Sequence, residues 1–125
     1  MFCIPIIAKD TKEAIDKISK AETMADILEI RLDLMARFDL SSMITSAAKP
    51  VIITYRTIRE CGKGDADYET IVKYLLNATH EGADFVDVLG TDNLDTLTIK
   101  GVLYRNVRHF KVKENQYSYY SDHYY

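Results

Sequence analysis

Short apolar runs alternate along the first ninety residues with longer segments whose apolar residues recur every three or four positions. An unbroken apolar run of this length is typical of a buried β-strand, and recurrence at helical spacing is typical of an amphipathic helix. The runs predict four strands, at 2–8, 27–34, 51–55 and 84–89. The segments between them predict three helices, at 10–21, 39–48 and 66–81.

Turn and capping residues support these boundaries. Asp10 is a typical N-cap, and Glu13 stands three residues later, where it completes a capping box. Pro50 precedes the third strand, a position that proline tolerates. Gly82 follows the third helix at the position where glycine commonly ends a helix. The local signals and the hydrophobic pattern therefore predict the same elements.

Strands that alternate with helices pair in parallel through right-handed crossovers. The predicted fold class is therefore α/β, with about four βα units around a parallel sheet. Four such units make either an open sheet or half of a (β/α)₈ TIM barrel. A whole barrel typically needs ~250 residues, so a chain of 125 residues is expected to form a partial barrel.

The pattern changes after residue 90. A poor apolar stripe suggests a helix over 93–106, and 109–113 suggests a short strand. The last nine residues, YSYYSDHYY, carry five of the nine tyrosines and show no regular period. We therefore expect a half-barrel over 1–90 and a divergent helix, strand and Tyr-rich tail over 91–125, within the same domain.

Composition narrows the class of protein. With 47% hydrophobic and 28% charged residues, the chain has ordinary globular composition. A net charge of −3 without a basic stripe argues against a nucleic-acid partner, and no apolar run is long enough for a membrane span. The two cysteines do not form a disulfide framework, and no secretory leader is evident. We therefore expect a cytoplasmic protein.

Charged residues interrupt the second and third strands. Glu29, Arg31 and Asp33 alternate with aliphatic residues, so they share one face of a strand. Thr54 and Arg56 alternate in the same way near the carboxyl end of the next strand, where ligand sites of parallel α/β folds lie. Two converging arginines suit a small carboxylate or polyol. A buried ion-pair cluster with a purely structural role is the alternative interpretation.

These residues carry a family resemblance. Glu29-Ile-Arg31-Leu-Asp33, Thr54-Tyr-Arg56 and Glu60-Cys-Gly62 resemble the E-x-R-x-D, T-[FY]-R and E-G-G motifs of type I 3-dehydroquinate dehydratase. The opening segment 4–9 and the block 82–88 also look like that family. The resemblance covers roughly residues 2–90, with the motifs in the same order and at similar spacing.

The resemblance implies a (β/α)₈ lyase of the shikimate pathway that needs no metal or organic cofactor. Such an enzyme dehydrates 3-dehydroquinate to 3-dehydroshikimate through a lysine Schiff base, with a histidine that moves protons and a glutamate that orients the histidine. Carried over by position, Glu29, Arg31 and Arg56 match substrate-binding residues. Glu60 matches the supporting glutamate.

The resemblance has departures. Cys61 stands where the family loop has its first glycine, and Leu89 replaces an acidic residue. His123 lies in a segment similar to the family's histidine motif but several residues later, and is the candidate for that role. No lysine matches the Schiff-base position. We therefore expect a truncated, N-terminal half of the enzyme, inactive by itself. A non-catalytic carboxylate-binding remnant and a structural fragment are the alternatives.

The expected half-barrel has a consequence for assembly. A parallel sheet that does not close leaves an open edge and an apolar inner face. Copies of the chain are therefore expected to form a homo-oligomer, with the small-molecule substrate as the other partner.

Overall fold

The computed structural model describes residues 2–87 throughout and, beyond them, the backbone of four three-residue strands. The first part contains, in order, β1 (Cys3–Ile6), α1 (Thr11–Ala21), β2 (Ile27–Arg31), α2 (Leu40–Ser46), β3 (Val51–Thr54), α3 (Tyr68–His80) and β4 (Phe85–Asp87). Single 3₁₀ turns follow β2 and β3, at Leu32–Leu34 and Ile58–Glu60. The later strands are β5 (Leu97–Ile99), β6 (Val102–Tyr104), β7 (His109–Lys111) and β8 (Ser118–Tyr120).

The first four strands form one parallel sheet in sequence order. Ile4 lies beside Leu28, and Leu28 beside Val51, so neighbouring strands begin at nearly the same level. Each helix returns the chain to the start of the next strand, as parallel pairing requires. The predicted α/β class with successive βα units is confirmed.

Side-chain caps fix where the helices begin. The Asp10 carboxylate accepts a hydrogen bond of 2.8 Å from the Glu13 amide, and Asp67 accepts one of 2.8 Å from the Thr70 amide. Such caps satisfy amides that have no partner inside the helix, and each stabilises a helix by about 1 kcal/mol. At the other end of α3, Gly82 has a φ of 102°, which is the left-handed C′ conformation expected from its position.

The core lies between the sheet and the three helices. In β1–β4, every second residue is directed to the helices, and most of these residues are buried, among them Ile6, Leu28, Ile30, Ile53 and Val86. The helices contribute buried aliphatic residues to the same cluster, among them Ala14, Ile18, Met43, Ile71 and Leu75. The residues between these strand positions belong to the opposite face of the sheet, which carries the charged side chains. Among the described residues, no helix has the length and apolar character that crossing a membrane requires.

The strands after residue 96 correct two expectations. The helix expected over 93–106 is wrong, because β5 and β6 pair there as an antiparallel hairpin. The segment contains β-branched residues on both sides of a two-residue connection that ends in Gly101, and both features favour a hairpin over a helix. The tail expected to be irregular contains β8.

The edge of β4 is also not open. β7 pairs with β4 in antiparallel orientation, and β8 pairs with β7, so the sheet order is β1-β2-β3-β4-β7-β8. The strand β1 therefore ends the sheet on one side. A TIM barrel consists of parallel strands. Only β1–β4 of this sheet can therefore correspond to barrel strands, because β7 and β8 are antiparallel.

Candidate functional site

Polar side chains collect on the sheet face that points away from the helices. Glu29 and Arg31 are half-buried and lie two residues apart on β2, so both face this side. The Thr54 hydroxyl on β3 donates a hydrogen bond of 2.8 Å to Glu29 Oε2. This contact holds the carboxylate across the two strands. A carboxylate accepts several hydrogen bonds, so Glu29 keeps acceptor capacity for a ligand hydroxyl.

Arg31 is fixed by a two-point contact. Its Nε and Nη2 atoms donate hydrogen bonds of 2.9 and 2.8 Å to the two carboxylate oxygens of Asp33. Asp33 was expected to be the third charge on the strand face. It lies instead in the 3₁₀ turn, because the strand ends at Arg31, and the turn brings its carboxylate back to the guanidinium. The Nε–Nη2 edge of Arg31 is therefore occupied, and the two Nη1 hydrogens and the second Nη2 hydrogen are the remaining donors.

The ion pair shifts both pKa values. Hydrogen bonding to Asp33 raises the pKa of the Arg31 guanidinium. Burial by itself would raise the pKa of Asp33, but hydrogen bonds from Arg31, from the Lys63 amide and from the Arg56 amide outweigh burial and lower it. Both groups are therefore charged at neutral pH, as an anion-binding arginine requires.

Arg56 is held more loosely. It follows β3, and its Nη2 atom lies 3.7 Å from the Asp87 carboxylate at the end of β4. That distance is longer than a hydrogen bond, whereas the Arg31–Asp33 contact is within hydrogen-bond range. About a quarter of the Arg56 side chain is exposed, and the Asp87 side chain is fully buried. Arg56 is thus attracted to the sheet while part of its guanidinium faces solvent.

The two arginines share one electrostatic environment. Asp87, which neighbours Arg56, also acts on Arg31 through its charge and raises the pKa of Arg31. Arg31 lies beside Thr54, and Thr54 lies beside Asp87, in the register of the three strands. Both guanidinium groups therefore lie at the carboxyl end of the sheet around the same buried carboxylate.

Glu60 lies in the loop between β3 and α3, at the end of the second 3₁₀ turn. The Thr57 hydroxyl donates a hydrogen bond of 2.7 Å to Glu60 Oε1. The same loop is tied to β2, because the Lys63 amide donates a hydrogen bond of 3.1 Å to Asp33. Glu60 is thus connected to the arginine cluster through the backbone of its loop.

Cys61 and Gly62 shape this loop. Cys61 has a φ of 67°, and it is the one residue other than glycine with a positive φ within the part of the chain that the structure describes. An L-residue in this conformation costs about 1–2 kcal/mol, which explains why glycine suits the position. A Cβ atom at Gly62 would lie 2.3 Å from the Arg56 carbonyl oxygen, so this position requires glycine.

An open cavity lies next to the cluster. It has a volume of about 450 Å³, shares Asp33 with the cluster, and is otherwise lined on its polar side by Lys9, Glu13, Lys17 and Lys63 rather than by the arginines. Within residues 2–87, no three His, Cys, Asp or Glu side chains form a group that could hold a metal ion. The arrangement can therefore bind an anionic, hydroxylated ligand through arginine donors and carboxylate acceptors.

The structure brings together most of the residues singled out from the sequence. Glu29 and Arg31 lie on one face of β2, with Arg31 at its carboxyl end, Arg56 follows the neighbouring end of β3, and Glu60 lies in the adjoining loop. His123 lies outside the described residues. Two further residues were not predicted from the sequence. Asp87 pairs with Arg56, and Thr57 donates a hydrogen bond to Glu60. An acidic residue in a predicted buried strand was the available signal for Asp87.

Comparisons with known proteins agree with this geometry. A family model described as type I 3-dehydroquinase matches residues 2–102. A 3-dehydroquinate dehydratase of Methanococcus maripaludis is 34% identical over 88 residues, which are 70% of this chain and 40% of that protein. The bifunctional 3-dehydroquinate dehydratase/shikimate dehydrogenase of Arabidopsis thaliana is 33% identical over 93 residues, 70% of this chain and 15% of that protein.

A solved structure shows the same fold. The type I 3-dehydroquinate dehydratase of Clostridium difficile superposes with a TM-score of 0.60 at 23% identity, over 69% of this chain and 38% of the other. The four parallel βα units therefore correspond to part of a TIM barrel. The chain spans about 40% of the length of the archaeal relative. On the family match and the shared fold, the chain belongs to the type I 3-dehydroquinase family.

Proposed function

We propose that this chain forms the substrate-binding half of a 3-dehydroquinate dehydratase and binds 3-dehydroquinate or a similar hydroxylated carboxylate. One observation carries the proposal. Arg31 ends β2 and Arg56 follows the end of β3, Glu29 lies two residues before Arg31 on the same face of β2, and each of the three has a neighbouring side chain that contacts it. Ligand sites of α/β barrels lie at this end of the sheet.

Each residue has a proposed role that follows from its contacts. Arg31 presents its Nη1 donors to the ligand because Asp33 occupies its other edge. Arg56 is the more mobile donor and can follow the ligand. Glu29 accepts a hydrogen bond from a ligand hydroxyl and keeps its bond to Thr54. Glu60, held by Thr57, is proposed to orient a proton-transferring histidine, for which His123 is the candidate.

The 125-residue chain by itself is proposed to bind without dehydrating. In the family, a lysine forms an iminium with the substrate ketone and so acidifies the neighbouring C–H bond. No lysine of this chain matches that motif. Binding that is equally strong in the ground and transition states does not raise turnover. A cytoplasmic location is part of the same proposal.

Isothermal titration of the purified chain with 3-dehydroquinate tests the binding site. Arg56→Gln is expected to weaken binding about tenfold, which corresponds to about 1.4 kcal/mol. Arg37→Gln is the matched control, because Arg37 is exposed and belongs to no part of the proposed site. Binding that is absent at millimolar ligand, or equal loss in the two variants, would contradict the proposal.

Borohydride treatment tests the catalytic part. The chain is incubated with 3-dehydroquinate and borohydride, weighed by mass spectrometry, and followed by enone absorbance. The expected result is an unmodified mass and no increase in absorbance. A covalent adduct on one lysine together with rising absorbance would show that a lysine of this chain performs the Schiff-base step. Binding without an adduct also agrees with the alternative of a carboxylate-binding remnant.

We further propose that copies of the chain associate through β1. This strand ends the sheet, and two large apolar residues beside it, Phe2 and Ile7, are 71% and 55% exposed. An exposed strand edge with apolar neighbours favours pairing with another chain. Sedimentation velocity should show a dimer at micromolar concentration, and Ile7→Lys should shift the chain toward monomer. A monomer at all concentrations would refute the association.

A further inference from the structure

Asp33 joins two parts of the candidate site that belong to different elements. Its side chain is fully buried in the turn after β2. It accepts two hydrogen bonds from Arg31 and one from the backbone amide of Lys63, in the loop after β3. The backbone amide of Arg56 also stabilises the ionised form of this carboxylate. One buried carboxylate therefore receives donors from both strand ends.

The loop that Asp33 contacts is otherwise closed on itself. The Gly62 amide donates to the Thr57 carbonyl at 2.8 Å, and the Gly64 amide donates to the Arg56 carbonyl at 2.9 Å. These bonds define the shape of the loop, but they do not fix its position relative to β2. The bond from Lys63 to Asp33 does so, and Glu60 lies three residues before Lys63 in the same loop.

We propose that Asp33 is a positioning residue that couples the ligand-facing end of Arg31 to the loop that carries Glu60. The coupling is physical: the same two carboxylate oxygens set the guanidinium plane and hold the loop backbone. Hydrogen bonds to an ionised acceptor are roughly twice as strong as neutral ones, so loss of the charge releases both partners. The identity of the ligand in this inference rests on the proposed function. The coupling between Arg31 and the loop does not depend on it.

Amide hydrogen exchange in the ligand-free chain tests the coupling directly. Asp33→Asn keeps the shape of the side chain and removes its charge. We expect the Lys63 amide to exchange about tenfold faster in this variant, and the Arg31 Nε–H signal to broaden. The Gly62 amide is an internal control because its acceptor is the Thr57 carbonyl. Equal acceleration at Gly62 and Lys63, or no change at Lys63, would overturn the proposal.

Asp67→Asn is the control for the substitution itself. Asp67 also accepts an amide hydrogen bond, but it caps α3 and is fully exposed to solvent at its carboxylate. Asparagine caps a helix as well as aspartate does, so this variant should leave the exchange of Lys63 unchanged. Acceleration of Lys63 exchange in this control would show that the effect is not local to Asp33 and would count against the coupling.

A titration of the unmodified chain covers the case in which Asp33→Asn does not fold. The shift of the Lys63 amide proton should change as Asp33 is protonated, with a midpoint below the ordinary pKa of aspartate. The charged groups around Asp33 are Arg31 and the residues beside the cavity, Lys9, Glu13, Lys17 and Lys63. Of these, Glu13 is the other carboxylate, so Glu13→Gln is the control variant and should leave the midpoint in place. A Lys63 signal that does not titrate would refute the contact.

Addition of 3-dehydroquinate separates this inference from the proposed function. In the unmodified chain, the Arg31 Nε–H and Lys63 amide signals should shift together, and in Asp33→Asn the Arg31 signal should shift alone. Joint shifts in both proteins would overturn the coupling. If neither signal responds to ligand, the proposed function fails, and the exchange experiment still decides whether Asp33 joins Arg31 to the loop.

Discussion

The ends of β2 and β3 both present an arginine next to an aspartate, yet they hold it in different ways. At the end of β2, Arg31 and Asp33 are two residues apart and make two hydrogen bonds of 2.8 and 2.9 Å. At the end of β3, Arg56 reaches the Asp87 carboxylate of another strand at 3.7 Å. The first arginine is fixed by its own turn, and the second depends on how two strands pack.

Because the two guanidinium groups are held with different rigidity, we expect the two arginines to contribute differently to ligand binding. A guanidinium with a rigid bidentate partner keeps one orientation and loses little further entropy when it binds a ligand. A guanidinium at 3.7 Å from its partner can move toward a ligand, but it must be ordered on binding. If the proposed function holds, we therefore expect Arg31 to define the geometry of the site and Arg56 to adapt to the bound molecule.

The largest expected effect comes from removing the fixed arginine. Arg31→Met leaves the buried Asp33 carboxylate without its main partner, and the loss of one member of a buried pair costs about 3 kcal/mol. Arg56→Met should cost about 1 kcal/mol, because the longer contact and the partial exposure of Arg56 weaken the pair. Urea unfolding of both variants measures the difference.

If Arg31→Met and Arg56→Met lower the free energy of unfolding by the same amount, the two arginines are held equally strongly and the distinction between the two strand ends is wrong. Arg37→Met serves as the control, since Arg37 is exposed and should change the free energy of unfolding by less than about 0.5 kcal/mol. The slope of the unfolding free energy against urea concentration should be the same in all variants. A constant slope would show that the denatured state is unchanged.

A smaller effect is expected from the loop after β3. Thr57→Val removes the hydroxyl that donates to Glu60 and should lower the free energy of unfolding by about 1 kcal/mol. Thr57→Ser keeps the hydroxyl donor and should lower the free energy of unfolding by less than half as much as Thr57→Val. If valine and serine behave alike at this position, the hydrogen bond to Glu60 contributes nothing to the order of the loop.

The smallest effect has the opposite sign. Cys61→Gly relieves the left-handed conformation at φ 67° but increases the conformational entropy of the unfolded chain, for a net stabilisation of about 0.5 kcal/mol. Cys61→Ala removes the thiol and keeps the Cβ atom, so it should not stabilise. Thermal unfolding of the two variants side by side measures this, and a gain with alanine would assign the effect to the thiol.

The sequence predicted the features whose causes are local. The Asp10 cap, the end of α3 at Gly82 and the shared face of Glu29 and Arg31 depend on residues within one or two turns of each other, or on the period of a strand. The family motifs then indicated where the strand ends carry charge. These elements and the parallel order of the strands appear in the structure as predicted.

Features that depend on packing between distant segments were not predictable in this way. The end of β2 at Arg31, rather than at residue 34, places Asp33 in a turn, where the Lys63 amide of the next loop also donates to its Oδ2. The contact of Asp87 with Arg56 joins residues that are far apart in the chain. A weak apolar stripe over 93–106 predicted a helix, whereas the β-branched residues of this segment lie in the antiparallel hairpin of β5 and β6.

The exposed thiol of Cys61 makes the loop accessible to chemistry from outside. Partial burial raises the pKa of the Cys3 thiol and the charge of Glu29 raises it further, so Cys3 stays protonated and reacts slowly with alkylating reagents near neutral pH. A fluorescent maleimide added briefly should therefore attach mainly to Cys61, next to Glu60. Because Cys3 is also exposed, a chain that carries Cys3→Ser would confine the label to Cys61 and provide an optical reporter for this loop.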